Sequence, residues 1–318
     1  GRVAGRCFAC RRRSITTERN DAISSAWAPN RRRSRRLLGA LALVFVALLA
    51  GCRDRASTRG ADTDDAPTTV RIATFNIQVF GRSKRSKPDV MRVLVDIADE
   101  FDILAVQEIR DASGDTAGAY LEAMNSQGNE DHRMAVGPRL GRSISKEEYA
   151  FYYDANVVEI VGRPATYPDP DDVFEREPFV ARFRVRAVDF VLVNVHIKPH
   201  DAVTEIDALD EVRAWAESEF GDADLIVAGD FNADGAYFKE DMQRDLLDMN
   251  WITPTGLDTT VKDTDRTYDQ FVISDSLMDE YTGSIGVYRF DREYGLTQEF
   301  STKVSDHYPV FAVFSVAP

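Results

Sequence analysis

Acid, amide and imidazole side chains recur at five separated points of the chain: Asn76, Glu108, His196, Asp230 with Asn232, and Asp306 with His307. Their types limit the chemistry. Carboxylates such as Glu108 and Asp306 are hard oxygen donors suited to Mg²⁺ or Mn²⁺. Imidazoles accept or donate a proton near neutral pH, and His196 and His307 are two of only four histidines. The three cysteines, Cys7, Cys10 and Cys52, all fall in the first 52 residues. The rest of the chain therefore has neither disulfides nor thiol chemistry, and catalysis there must use oxygen and imidazole groups.

Segments of alternating or continuous apolar character carry these residues. Val70–Ile77 alternates and reads as a strand holding Asn76. Apolar spacing from Val90 to Ala98 is helical, and the strand 102–107 runs into Glu108. Two nearly continuous apolar strands, 189–195 and 224–228, end at His196 and run into Gly229-Asp230-Phe231-Asn232. Between them a single helix is expected over 201–220, with Asp201 as its N-cap and Val203, Ile206, Leu209, Val212 and Trp215 on its buried stripe. Asp306-His307 precede a last strand, 310–316. One polar group at a strand end is an ordinary cap. Five such strand ends point to one convergent site on one rim of a sheet.

The N-terminal segment differs in kind. Its first 52 residues hold eleven Arg against Glu18 and Asp21. Of 39 basic and 53 acidic residues in the chain this leaves 28 and 51 for the remainder, a net charge of −23. So acidic a body is a poor long-range field for a polyanion, which argues against a passive nucleic-acid-binding module. Arg-rich residues 31–36 precede an apolar run, Leu37–Ala50, too short to span a membrane comfortably. Together with Gly51-Cys52 they describe a signal peptide over 31–52. Residues 1–30 show no hydrophobic periodicity and read as an unstructured or non-native extension; Cys7-x-x-Cys10 lacks a second pair of ligands for zinc. Residues 53–67 form a polar linker, and 68–318 form one domain without internal repeats.

Several motifs together resemble the endonuclease/exonuclease/phosphatase superfamily, and within it the deoxyribonuclease I family. They are Phe75-Asn76, Gln107-Glu108, Asn194-Val195-His196, Gly229-Asp230-Phe231-Asn232, Tyr268-Asp269 and Ser305-Asp306-His307-Tyr308-Pro309-Val310. The narrower likeness adds Ile109-Arg110-Asp111, Leu140-Gly141-Arg142, Lys146-Glu147-Glu148-Tyr149, Arg176-Glu177-Pro178, Asn232-Ala233-Asp234 and Asp258-Thr259-Thr260. The resemblance spans about residues 69–317. It implies a single-domain α/β fold, a four-layer α/β/β/α sandwich, and a monomeric, metal-dependent endonuclease that hydrolyses DNA phosphodiesters with little sequence specificity.

By that resemblance, Glu147 orients His196 and Asp269 orients His307 as acid–base pairs, with Asp230 and Asn232 completing the catalytic set. Glu108, Asp306, Asn76 and Asp230 surround the Mg²⁺ or Mn²⁺, and Arg110, Arg142 and Arg176 contact DNA. Asp258, Thr260 and Thr264 resemble one structural Ca²⁺ loop, and Asp172, Phe174 and Glu177 a second. Two positions depart from the pattern: Ser145 stands where an aromatic would enter the minor groove, and Gln78 where an Arg would follow the first strand. His132 and His200 match no site of the family and are expected to be a solvated loop residue and a helix-start residue. A lipid- or inositol-phosphate phosphodiesterase on the same centre is the alternative, and a catalytically silent binding subunit ranks below it.

Leu49-Ala50-Gly51-Cys52 resembles a bacterial lipobox, which implies export and a lipid anchor on Cys52 at the cell envelope, or secretion. N-terminal sequencing and mass analysis of the mature native protein are expected to find an acylated Cys52 as the first residue. A chain that starts upstream of residue 31 with Cys52 unmodified would overturn this reading.

Overall fold

The computed structural model describes residues 68–127, 131–238, 246 and 248–316. The expected signal segment, Cys52 and the linker lie outside the described residues. Among the described residues no helix is long and apolar enough to cross a membrane.

Twelve strands are described: β1 (Thr69–Phe80), β2 (Ile103–Ile109), β3 (His132–Val136), β4 (Glu148–Asp154), β5 (Glu159–Thr166), β6 (Phe179–Val185), β7 (Val188–His196), β8 (Leu225–Asp230), β9 (Met249–Trp251), β10 (Asp269–Ser274), β11 (Tyr281–Val287) and β12 (Val310–Ser315). They form two six-stranded sheets, ordered β11-β12-β1-β2-β4-β3 and β5-β6-β7-β8-β10-β9. The helices are α1 (Arg82–Arg85), α2 (Pro88–Ala98), α3 (Asp115–Gln127), α4 (Ala202–Asp207), α5 (Leu209–Phe220), α6 (Phe290–Glu293) and α7 (Gln298–Val304).

Strand alternation sorts the apolar residues into three layers. Val70, Ile72, Ile103, Ala105, Phe151, Leu192, Ile226, Ala228, Phe271 and Ala312 fill the space between the sheets. Ala73, Phe75, Leu104 and Val106 face the opposite way and pack on α2, α3 and α7. Val191, Val193, Leu225 and Val227 do the same on the second sheet against α4 and α5. This is the expected four-layer α/β/β/α sandwich.

Four local expectations are corrected. The helix over 201–220 is broken: a 3₁₀ turn at Pro199–Asp201 leads into α4, which stops at Ala208 before α5 begins. Asp201 makes no side-chain cap and instead pairs with Lys198 Nζ at 2.8 Å. The break also turns Val203 outward, 37% exposed, while Ala202 and Ile206 take the buried side. Finally, His132 is not a solvated loop residue. It lies in β3, 3% exposed, and burial lowers its pKa. His200 does sit at the helix start, its ring edge-on to Tyr237.

The end of β8 depends on a close backbone approach. A Cβ at Gly229 would lie 2.0 Å from the Val195 carbonyl oxygen of the parallel neighbour β7, so only glycine fits. Gly229→Ala is expected to destabilise the fold by about 3 kcal/mol, read as a shift in the denaturant midpoint. An unchanged midpoint would contradict this packing.

Candidate active site

The same alternation that builds the central apolar layer also aims the polar residues. Asn76 follows Ile72, Gln107 follows Ala105, His196 follows Leu192, and Asp230 follows Ala228, each an even number of positions further along its strand. Asp269 opens β10 on the face of Phe271, and Glu147, just before β4, shares the face of Tyr149 and Phe151. All six therefore reach one end of the space between the sheets.

Glu108 would by this rule face the helices, but it does not obey it. Its φ is +60°, and the β2–β4 register shifts between Val106 and Ile109. Side-chain parity resets there, because Ile109 faces the helices as Val106 does. Such a bulge re-aims a side chain toward the rim. A matching irregularity ends β1, where Gln78 and Val79 have φ of +34° and +50° and the pairing with β2 shifts between Asn76 and Phe80.

Two histidine–carboxylate pairs result. His196 Nδ1 lies 2.8 Å from Glu147 Oε2, and His307 Nδ1 lies 2.8 Å from Asp269 Oδ2. Their Nε2 atoms approach one oxygen from two directions, at 3.6 and 3.7 Å from Asp230 Oδ2. A carboxylate on Nδ1 fixes the tautomer and leaves Nε2 for proton transfer. All five residues are buried.

Charge sets the ring pKa values. Burial and Arg176 oppose a proton on His196, but Glu147 and Asp230 outweigh them and raise it. Burial likewise opposes a charged His307, and Asp269, Asp230 and Asp306 overcome it more strongly. Glu147 is held below the usual carboxylate range because His196, Arg176 and Arg110 outweigh its burial. Asp269 is pushed upward by burial, with His307 pulling the other way.

An amide joins the pairs to the outer carboxylates. Asn76 Nδ2 donates to Glu108 Oε1 at 3.1 Å and to Asp230 Oδ2 at 3.0 Å, while its Oδ1 accepts from Gln78 N. Asn232, with φ of +49°, donates Nδ2 to the Ile197 carbonyl. Asp306 accepts from Gln78 Nε2 at 2.6 Å, and its side chain is 25% exposed. Gln78 is thus more than a missing Arg, since it holds a carboxylate of the site.

The donor set fits a hard divalent cation. Asp230, Asp269 and His307 bring ligand-type atoms within 4.8 Å of one another, and Asp269 Oδ1 is buried without a hydrogen-bond partner. Glu108 and Asp306 add oxygens open to solvent, at 15% and 25% exposure. The hydrogen bond between His307 Nδ1 and Asp269 Oδ2 ties these two residues as an acid–base pair and leaves Asp269 Oδ1 and His307 Nε2 outside it. Asp230, Glu108 and Asp306 are the fitting oxygens.

The three arginines separate. Arg176 is 10% exposed and donates through Nε and Nη2 to the His196 carbonyl at 3.0 and 2.9 Å, with Nη1 3.5 Å from Glu147. It is a brace for the first pair. Arg110, 28% exposed, stands between Glu108 at 3.5 Å and Glu147 at 3.9 Å. Arg142 is more open and pairs with Asp172 Oδ1 at 2.8 Å. That pairing engages one acid of the second expected Ca²⁺ loop; Phe174 N donates to Asp169, and Glu177 Oε2 is buried without a partner. The first loop is brought together by hydrogen bonds: Thr260 Oγ1 donates to Asp258 Oδ1 and meets Thr264 Oγ1, each at 2.9 Å. In the loop bearing Ser145, the fully exposed apolar residue is its neighbour Ile144.

Further residues serve the site without having been singled out by type. Tyr149 accepts the His196 N–H at 2.8 Å, and Glu205 accepts from Glu175 N and Lys198 N beside it. Gln107 Nε2 donates to Asn194 Oδ1 at 2.6 Å, from one sheet to the other. Gln107 and Asn194 lie within motif segments, but nothing in their spacing says that they face each other.

The sequence pattern of the Endonuclease/Exonuclease/phosphatase family matches residues 73–307, which include every residue of both pairs. The chain belongs to this family. Deoxyribonuclease-1-like 2 from Mus musculus is 36% identical over 257 residues, covering 78% of this chain and 92% of that protein. Homo sapiens Deoxyribonuclease-1 is 32% identical over 292 residues, covering 87% and 98%. Among solved structures, the humanized D. rerio TDP2 superposes with a TM-score of 0.57 at 13% identity, covering 79% of this chain and all of that one. The family protein from Bacteroides vulgatus gives 0.54 at 19% identity, covering 78% and 99%. These structures share the family fold.

The charges around His196 make opposed demands on its titration. Glu147→Gln is expected to lower its pKa and Arg176→Gln to raise it, measured by NMR of the ring protons. Shifts of the same sign in both variants would refute this arrangement.

Proposed function

We propose that this chain is a metal-dependent endonuclease that hydrolyses phosphodiester bonds of DNA with low sequence specificity. One observation carries the reading: two buried imidazoles, each oriented by a carboxylate at 2.8 Å, turn their free nitrogens toward the same Asp230 oxygen. In-line hydrolysis of a diester needs a proton acceptor for the attacking water and a proton donor for the departing alkoxide, on opposite sides of phosphorus. Two such rings flanking one carboxylate supply that pair. The names of the sequence relatives, deoxyribonucleases across nearly their full length, support DNA as the substrate.

Asp230, Glu108 and Asp306 are the groups that would hold Mg²⁺ or Mn²⁺, and the bound ion would relieve charge on the non-bridging phosphate oxygens. The chain's own residues do the rest. Asn76 keeps Glu108 and Asp230 in one cluster, and Arg176 fixes the His196 backbone so that its ring cannot swing from Glu147. Arg110 and Arg142, the more open guanidinium groups, would meet the DNA backbone. The signal-like N-terminal segment supports export, with Cys52 as the residue that would carry an anchor.

Plasmid nicking by the purified chain tests the proposal. Nicking in Mg²⁺ that EDTA abolishes is expected, with His196→Ala slower by about 10²-fold or more. No metal-dependent nicking by the wild type, or equal nicking by the variant, would overturn it.

A further inference from the structure

One buried cation takes no part in the proton transfers. Lys84, in the four-residue helix α1, is only 8% exposed. Its ammonium donates three hydrogen bonds, all to backbone carbonyls: Ile77 O at 2.7 Å, Gln78 O at 2.5 Å and Val304 O at 2.7 Å. The first two belong to the irregular end of β1 just after Asn76. The third closes α7 one residue before Ser305-Asp306-His307. A single group therefore ties together two segments more than 220 positions apart, and each segment carries residues of the site.

The neighbourhood repeats this tie. Ser305 Oγ donates to the Asn76 carbonyl at 2.7 Å, and Gln78 Nε2 reaches Asp306 Oδ2. Gln78 and Val79 hold positive φ, a conformation that costs free energy unless its surroundings enforce it. α1 is itself seated tightly, since a Cβ at Gly81 would lie 2.4 Å from the Arg110 carbonyl oxygen. A lysine with all three donors on carbonyls has no freedom left for a mobile role.

We propose that Lys84 is a positioning residue of the site: its ammonium clamps the ends of β1 and α7 together and so sets the spacing of Asn76, Glu108 and Asp306 for a divalent cation. This rests on the nuclease reading for its catalytic consequence, but not for its structural one. The clamp acts on backbone and touches no substrate.

The charge and the clamp make opposite predictions. Burial lowers the Lys84 pKa to about 8, while Asp306 and Glu108 lie close enough to favour its charged form. As a mere background charge it would repel a bound cation, and Lys84→Met would tighten Mn²⁺ binding. As a clamp, its loss spreads the carboxylates and weakens binding. Free Mn²⁺ is titrated by electron paramagnetic resonance against wild type and Lys84→Met, below the melting temperature of both. Mn²⁺ binding weaker by about tenfold is expected, with kcat for plasmid nicking down by about 10²-fold and KM for DNA within about twofold. Core variant Met124→Ala, destabilised away from the site, should keep wild-type Mn²⁺ affinity.

Tighter or unchanged Mn²⁺ binding in Lys84→Met would overturn the proposal, as would equal weakening in Met124→Ala. If Lys84→Met does not fold, Lys84→Gln, uncharged but still a donor, takes its place: weaker Mn²⁺ binding and a lower kcat support the clamp, and tighter or unchanged binding overturns it. Should the wild type bind Mn²⁺ yet cut no DNA, the nuclease reading fails while the Mn²⁺ comparison still decides the role of Lys84.

Discussion

Across the space between the two sheets, the amide of Asn76 on β1 donates to the carboxylate of Asp230 on β8. Everything in the site is arranged about this contact. Both groups are almost fully buried, and a carboxylate in that setting is tolerated only if its lone pairs are met. Asp230 meets that demand with hydrogen bonds from Asn76 Nδ2 to one oxygen and from Asn232 N to the other, and the two imidazole Nε2 atoms stand at 3.6 and 3.7 Å from the first. The cost of burying one charge thus becomes the means of converging residues from both sheets.

A second polar brace lies deeper. Gln107 donates to Asn194 and to Thr74, and Asn194 returns a bond to the Val106 carbonyl. Such buried networks fix the slide of one sheet against the other, where apolar packing alone would tolerate several offsets. The register set by Gln107–Asn194 is what allows Glu147, from the first half of the chain, to stand 2.8 Å from His196 in the second.

Strain and rigidity share the same places. Glu108, Gln78, Val79 and Asn232 all have positive φ, and each lies at a strand end that bears the site. The regular strands deliver their residues by alternation. The irregular ends then turn Glu108 out of the helix layer and hold Gln78 against Asp306. Tight bonds from Lys84 and Ser305 offset the conformational cost there.

Sequence alone carried the fold class and the family, and the resemblance to that family, not any spacing, suggested Glu147 for His196 and Asp269 for His307. Apolar alternation repeats every two residues, so it declares strand faces locally. A polar residue ending a regular strand, such as His196 or Asp230, inherits its face, whereas the bulge at Glu108 lies beyond that rule. Local patterns could not locate the break at Ala208, because both α4 and α5 are helix-forming and only packing chooses which of Val203 and Ile206 is buried. Nor could they distinguish arginines: Arg176 is a brace rather than an open surface group, a difference of burial that its type does not carry. His132 turned inward for the same reason. Lys84 is the extreme case. A lysine in a basic, polar stretch reads as solvated, and its role exists only because α7 returns beside β1 from the far end of the chain. Residue type and spacing record what a side chain can do; which carbonyls it meets is decided by contacts distant in sequence.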